Sequence, residues 1–192
     1  MDRRDYLKMI LILNISKERL HYYEFVRPIE AIVRDLNVPY ENKHYLNLSL
    51  SQIKDFERII ICGTSLYDNE FLNNVDRFLW IRDCDKPILG ICAGMQIISK
   101  IFGGKIRKKT EIGFFKEKFN KDFLGLNGEV EVYHLHNNYA TTPEDFYIFS
   151  ISSNLVPQAI KHKELPIFCT LFHPEVRQKE LIKNFCLINY RH

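Results

Sequence analysis

The stretch "KPILGICAGMQIISKIFGGK", Lys86 to Lys105, reads as a buried strand, a cysteine, two spaced glycines and then a helical repeat. A strand that turns straight into a helix lifts the side chain at the bend out of the sheet, as a nucleophile elbow does. Such a bend needs small neighbours, and Gly90, Ala93 and Gly94 provide them around Cys92. The following helix turns its positive end and free N–H groups toward the sulfur, which favours thiolate over thiol. Those N–H groups, beginning with that of Ala93, are also placed to hold an oxyanion during acyl transfer. Cysteine is usually inert packing, and Cys62, Cys84, Cys169 and Cys186 are read that way. Cys92 is read as a nucleophile.

Outward from that turn, short apolar runs alternate with helical patterns, which points to βαβ units and a mainly parallel sheet. "MILILNI" (9–15) is a first buried strand, and Phe25, Ile29, Ile32, Val33 and Leu36 recur at helical spacing after it. "VPYENKHYL" (38–46) is a second strand with a short helix after it, and "RIIICG" (58–63) is a third. A helix over 71–83 leads into the strand of the opening stretch. From Gly104 to about Leu135 the turn residues "GLNGE" separate two antiparallel segments. "DFYIFSIS" and "LPIFCTLF" are later strands, the last ending at Phe172, and a helix over 177–190 closes the chain. With no internal repeat or low-complexity linker, residues 1–192 are expected to form one α/β domain: a mainly parallel twisted sheet flanked by helices, with a small antiparallel hairpin region.

Composition narrows the function. The chain has 192 residues, 46% hydrophobic and 27% charged, which is globular and not disordered. A net charge of +3 lacks the strong basic stripe of a nucleic-acid binder. The apolar runs are too short to span a bilayer, which takes about 20 residues. Five cysteines without a CxxC pair or a disulfide framework fit a reducing cytoplasm and no metal site.

A nucleophile needs a base, and "FCTLFHPEV" supplies one. His173 follows a strand at its carboxyl end, where ligands and catalytic groups gather in open α/β sheets. Cys92 sits at such an end too. If the chain stays extended through Pro174, His173 and Glu175 point the same way, and the carboxylate can fix the imidazole tautomer and stabilise the imidazolium.

"GICAGMQ" together with "FHPEV" resembles the class I, triad-type glutamine amidotransferases, above all the glutaminase part of GMP synthetase. The family pattern G-x-C-x-G-x-Q falls on Gly90, Cys92, Gly94 and Gln96, and the resemblance covers nearly the whole chain. It implies a flavodoxin-like fold, no cofactor, and a Cys92–His173–Glu175 triad. "FGGKIRKKTEIG" resembles the segment after the nucleophile helix, and "HLHNNYA" (134–140) the histidine-containing substrate loop, with His136 on the loop histidine. By the same resemblance Gln96, Asn137 and Asn138 hold the amino-acid end of glutamine. The stretch "CGTSL" departs from the family's oxyanion loop by placing Thr64 and Ser65 where glycine and proline are usual, while Gly63 is kept. Gly63 or Thr64 is expected to donate a second oxyanion N–H, and a positive φ at Thr64 would be strained.

The expected activity is hydrolysis of L-glutamine through a cysteine thioester, with ammonia passed to a separate ATP-dependent synthetase. The chain has no phosphate-binding GxxxxGK loop of its own. "KIRKK" (105–109) with Lys116, Lys118 and Lys121 is read either as part of the docking face or as solvated hairpin charge. Another amidotransferase pathway, a stand-alone γ-glutamyl hydrolase, and a binding subunit with a decayed oxyanion hole remain as alternatives.

Overall fold

The computed structural model describes residues 9–189. Its centre is a nine-stranded sheet whose order is β2-β1-β3-β4-β9-β8-β7-β5-β6. Strands β1 (Ile10–Asn14), β2 (Tyr40–His44), β3 (Arg58–Ile61), β4 (Ile88–Ile91) and β9 (Ile167–Thr170) pair in parallel. Strands β1, β3, β4 and β9 are covered on both faces, which is why they read as unbroken apolar runs. Two buried clusters follow from this layering. One, containing Val26, Ile29, Val33, Leu181 and Phe185, lies under α2 (Arg27–Asp35) and α4 (Lys179–Leu187). The other, containing Phe71, Phe78, Met95 and Ile98, lies under the 3₁₀ segment Glu70–Asp83 and α3 (Ala93–Ile101).

The fold class is the one the sequence implied, but its antiparallel part is larger. β5 (Ile106–Phe123) and β6 (Leu126–Ala140) form a long hairpin of 18 and 15 residues. β5 touches β7 (Phe146–Ile151), and β7, β8 (Pro157–His162) and β9 continue antiparallel, so the hairpin extends the central sheet. Several element readings change as well. The proposed substrate loop 134–140 is the end of strand β6. β8 was not foreseen, because it opens on a proline and carries Gln158 at a buried position. The helix after β1 starts earlier than Phe25, with α1 (Arg19–His21) and a π turn at Tyr22–Val26 leading into α2. The segment Glu70–Asp83 runs as 3₁₀ turns broken by non-helical φ/ψ at Asn74. Strand β9 stops at Thr170, two residues short of Phe172.

The parallel half positions the site. β4 and β9 are neighbours in register, Gly90 beside Cys169 and Ile91 beside Thr170. The next residue, Cys92, donates its N–H to Thr170 O at 2.7 Å. Two segments about 80 residues apart in sequence therefore leave the sheet at the same edge. At the far end of α3, Gly103 takes φ +92°, ending the helix, and a Cβ on Gly104 would lie 2.6 Å from Thr141 O. The "FGG" of the opening stretch thus docks α3 onto the end of β6.

Candidate active site

Cys92 caps α3 with φ 50° and ψ −101°, a backbone conformation that non-glycine residues rarely adopt. This is the sharp strand-to-helix bend expected from its neighbours. Its tightness shows at Gly94, where a Cβ would sit 2.5 Å from Ile61 O, so α3 rests directly on the β3 backbone.

His173 and Cys92 meet across Gly63. A Cβ built on Gly63 would lie 2.6 Å from His173 Cε1 and 3.3 Å from Cys92 Cβ, so both side chains crowd one point. Gly63 itself does not have positive φ. What it supplies is room. His173 is buried, its ring centroid lies 5.4 Å from that of Phe25, and its backbone N–H donates to Tyr133 O at 2.9 Å. His173 Nδ1 lies 2.7 Å from Glu175 Oε1, which leaves Nε2 as the nitrogen free to face the sulfur. Burial alone would lower the imidazole pKa, but the Glu175 carboxylate and then Cys92 more than offset it and hold it well above the ordinary value. The His–Glu contact forms differently from the sequence expectation. Val176 N donates to His173 O, so Glu175 reaches back through a turn instead of along an extended strand.

A narrow cleft beside Cys92 is lined by Thr64, Ala93, Gln96, Asn137 and Asn138, together with Leu135 and His136. Five of the six residues expected to bind substrate thus share one cleft, and Gly63 lies behind it. Cys92 Sγ lies 3.7 Å from Leu135 O, and Gln96 Nε2 donates to Asn138 O at 3.1 Å. A larger hollow lined by Leu48, Phe78 and Trp80 lies elsewhere and holds neither Cys92 nor His173.

Thr64 is not strained, for it has no positive φ. Its hydroxyl donates to Asp68 Oδ2 at 2.7 Å, and the same oxygen accepts from Lys17 N at 2.8 Å. Asp68, which the sequence reading passed over, therefore ties the "CGTSL" loop to the loop after β1. Across the cleft mouth, Asn138 Nδ2 donates to Asn69 Oδ1 at 3.1 Å and Asn137 Nδ2 to Leu66 O at 3.4 Å.

A second buried polar group adjoins the cleft. Glu111 accepts from Asn154, Gln158 and Ser152 at 2.9, 2.8 and 3.1 Å. Its Oε2 also lies 3.1 Å from both His134 Nδ1 and His136 Nε2. His134 Nε2 faces Glu117 Oε1 at 3.4 Å. Burial lowers the His134 pKa to about 4 against the pull of Glu111, and burial followed by Glu111 lifts Glu117 to about 7. The cluster was legible in part: in "HLH" the two histidines alternate onto one face of β6, and Glu111 is the register partner of His136.

These features define the class of protein: a parallel sheet with a strained cysteine at a strand–helix turn and a buried His–Glu pair beside it. The chain belongs to the glutamine amidotransferase class-I family, which matches over residues 21–188. Among its relatives, GMP synthase [glutamine-hydrolyzing] of Petrotoga mobilis is 35% identical over 84% of this chain and 33% of its own length. A GMP synthase [glutamine-hydrolyzing] subunit of Archaeoglobus fulgidus is 29% identical over 86% of this chain and 93% of its own. The chain thus spans about a third of the first relative and nearly all of the second. A crystal structure of a protein assigned as a GMP synthase subunit from Thermoplasma acidophilum superposes with a TM-score of 0.83 at 25% identity, covering 94% of this chain and 92% of that one.

Proposed function

We propose that this chain is a glutaminase that supplies ammonia to an ATP-dependent synthetase, with Cys92, His173 and Glu175 as its triad. The observation that carries the reading is the backbone-strained Cys92 packed with His173 around Gly63, and Glu175 on the far nitrogen of the ring. The Cys92 thiolate attacks the side-chain amide carbon of L-glutamine, and the carbonyl oxygen becomes an oxyanion. Backbone N–H groups of Ala93 and of Gly63 or Thr64 stabilise that charge. Collapse breaks the C–N bond while the His173 imidazolium gives its proton to the leaving nitrogen, releasing ammonia and a γ-glutamyl thioester. Neutral His173 then takes a proton from water, whose hydroxide attacks the thioester. The C–S bond breaks, and glutamate leaves with the thiolate restored. Gln96, Asn137 and Asn138 hold the amino and carboxylate end of the substrate.

Two relatives bear GMP synthase names, and the second is a subunit nearly this chain's length, which supports a separate synthetase that aminates XMP. The lysines of 105–109 with Lys116, Lys118 and Lys121 are proposed as part of its docking face. The test is ammonia release from L-glutamine by the chain alone and with an ATP-dependent GMP synthase subunit. Activity that rises when this synthetase is added and vanishes in Cys92→Ala supports the reading. Activity retained in Cys92→Ala refutes it.

A further inference from the structure

We propose that Glu111, His134 and His136 form a binding site for one divalent transition ion of the zinc class, coordinated by Glu111 Oε2, His134 Nδ1 and His136 Nε2. One donor atom from each residue lies within 4.8 Å of the others, and this is the one such group among the described residues. Both imidazole-to-carboxylate separations are 3.1 Å. Bonds of about 2.1 Å to a tetrahedral ion place neighbouring ligand atoms about 3.4 Å apart, so the two 3.1 Å contacts need to open only slightly, and the two imidazole nitrogens, within 4.8 Å of each other, lie close enough to share one ion. Two imidazoles and a carboxylate are also an established donor set for this ion class.

The surroundings fit the same role. All three side chains are at least 97% buried. His136 Nε2 makes no hydrogen bond, although it lies 3.1 Å from Glu111 Oε2, so it points beside that oxygen and not at it. Its other nitrogen, Nδ1, lies 3.2 Å from Lys109 O, and the second nitrogen of His134 faces Glu117. The Lys109 carbonyl behind His136 is the kind of group that holds a metal-ligating histidine in its working tautomer, while the Glu117 carboxylate stands 3.4 Å behind His134 without a hydrogen bond to it. Glu111 is fixed in turn by Ser152, Asn154 and Gln158.

Because His136 lines the cleft beside Cys92, a bound ion fixes one wall of that cleft.

The test uses the full chain carrying Cys92→Ser, so that the thiol cannot capture metal. After chelator treatment and dialysis against Zn²⁺ or Co²⁺, elemental analysis reads the stoichiometry and the Co²⁺ absorption spectrum reads the geometry. The proposal expects one ion per chain, a tetrahedral Co²⁺ spectrum, and affinity at least about tenfold weaker in His134→Asn. Glu117→Gln, which leaves all three ligands in place, is expected to weaken binding about tenfold as well and serves if His134→Asn does not fold. No ion bound by the folded protein, or undiminished binding in the folded variants, overturns the site. None of these readouts depends on glutaminase activity.

Discussion

Cys92 is held at φ 50°, ψ −101° by its surroundings, a conformation costing on the order of 1–3 kcal/mol that the packing of α3 on β3 must offset. The partner ring is equally constrained, lodged between Phe25, Glu175 and the bare Cα of Gly63. Gly63→Ala places a methyl 2.6 Å from His173 Cε1, and the ring can yield only by leaving Glu175 or pressing on Phe25. A displacement near 1 Å costs roughly 100-fold in rate. Steady-state kinetics should therefore show kcat/KM down by about that factor, while stability falls by only ~1–3 kcal/mol. Glu175→Gln removes the negative charge that raises the His173 pKa. Imidazolium is then lost at lower pH, so the alkaline limb of the kcat/KM profile should move to lower pH and the maximum should fall at least about tenfold. An unmoved limb would deny Glu175 its orienting role. At this scale the sequence was informative, since residue type, spacing and flanking small residues all point to Cys92 and His173. The function of Gly63 was not legible, because it is set by a ring over 100 residues downstream that fills the space where a Cβ would stand.

Among the elements, the cleft has two walls of different origin. One is the turn from β4 into α3. The other is the end of β6, where Leu135 O faces the sulfur and Asn137 and Asn138 reach across to the 66–69 segment. Those bridges occupy the amides proposed to hold glutamine, so substrate entry must break them. Asn69→Ala removes the acceptor of the 3.1 Å bridge from Asn138, and a lowered KM with kcat nearly unchanged is expected in glutamine titrations. A raised KM would mean that Asn69 contacts the substrate. The parallel strands could be read from sequence because burial on both faces leaves continuous apolar runs. The end of β6 could not, because "HLHNNYA" carries the amides and histidines typical of a loop, although the segment before it was legible as one arm of an antiparallel pair. β8 was hidden by its proline and buried glutamine for the same reason: tertiary contacts, not local propensity, make it a strand.

Across the whole molecule, the nine-stranded sheet divides its labour. The parallel half brings Cys92 and His173 to one edge, and the antiparallel half supplies the opposing wall and the buried Glu111 cluster. Chain order did not reveal that β9 would insert between β4 and β8, yet this one pairing joins the halves and creates the site. Among the described residues no helix is long and apolar enough to cross a membrane. Mixed with an ATP-dependent GMP synthase subunit, the chain should make glutamine a competent nitrogen donor, and Cys92→Ala should leave only the route from free ammonium salts. The most direct test of the account treats the native chain with a glutamine analogue bearing a diazoketone and locates the adduct by peptide mass spectrometry. A single adduct on Cys92, blocked by excess L-glutamine and absent in His173→Ala, is the predicted result; modification of another residue, or none at concentrations that saturate glutamine binding, would contradict it.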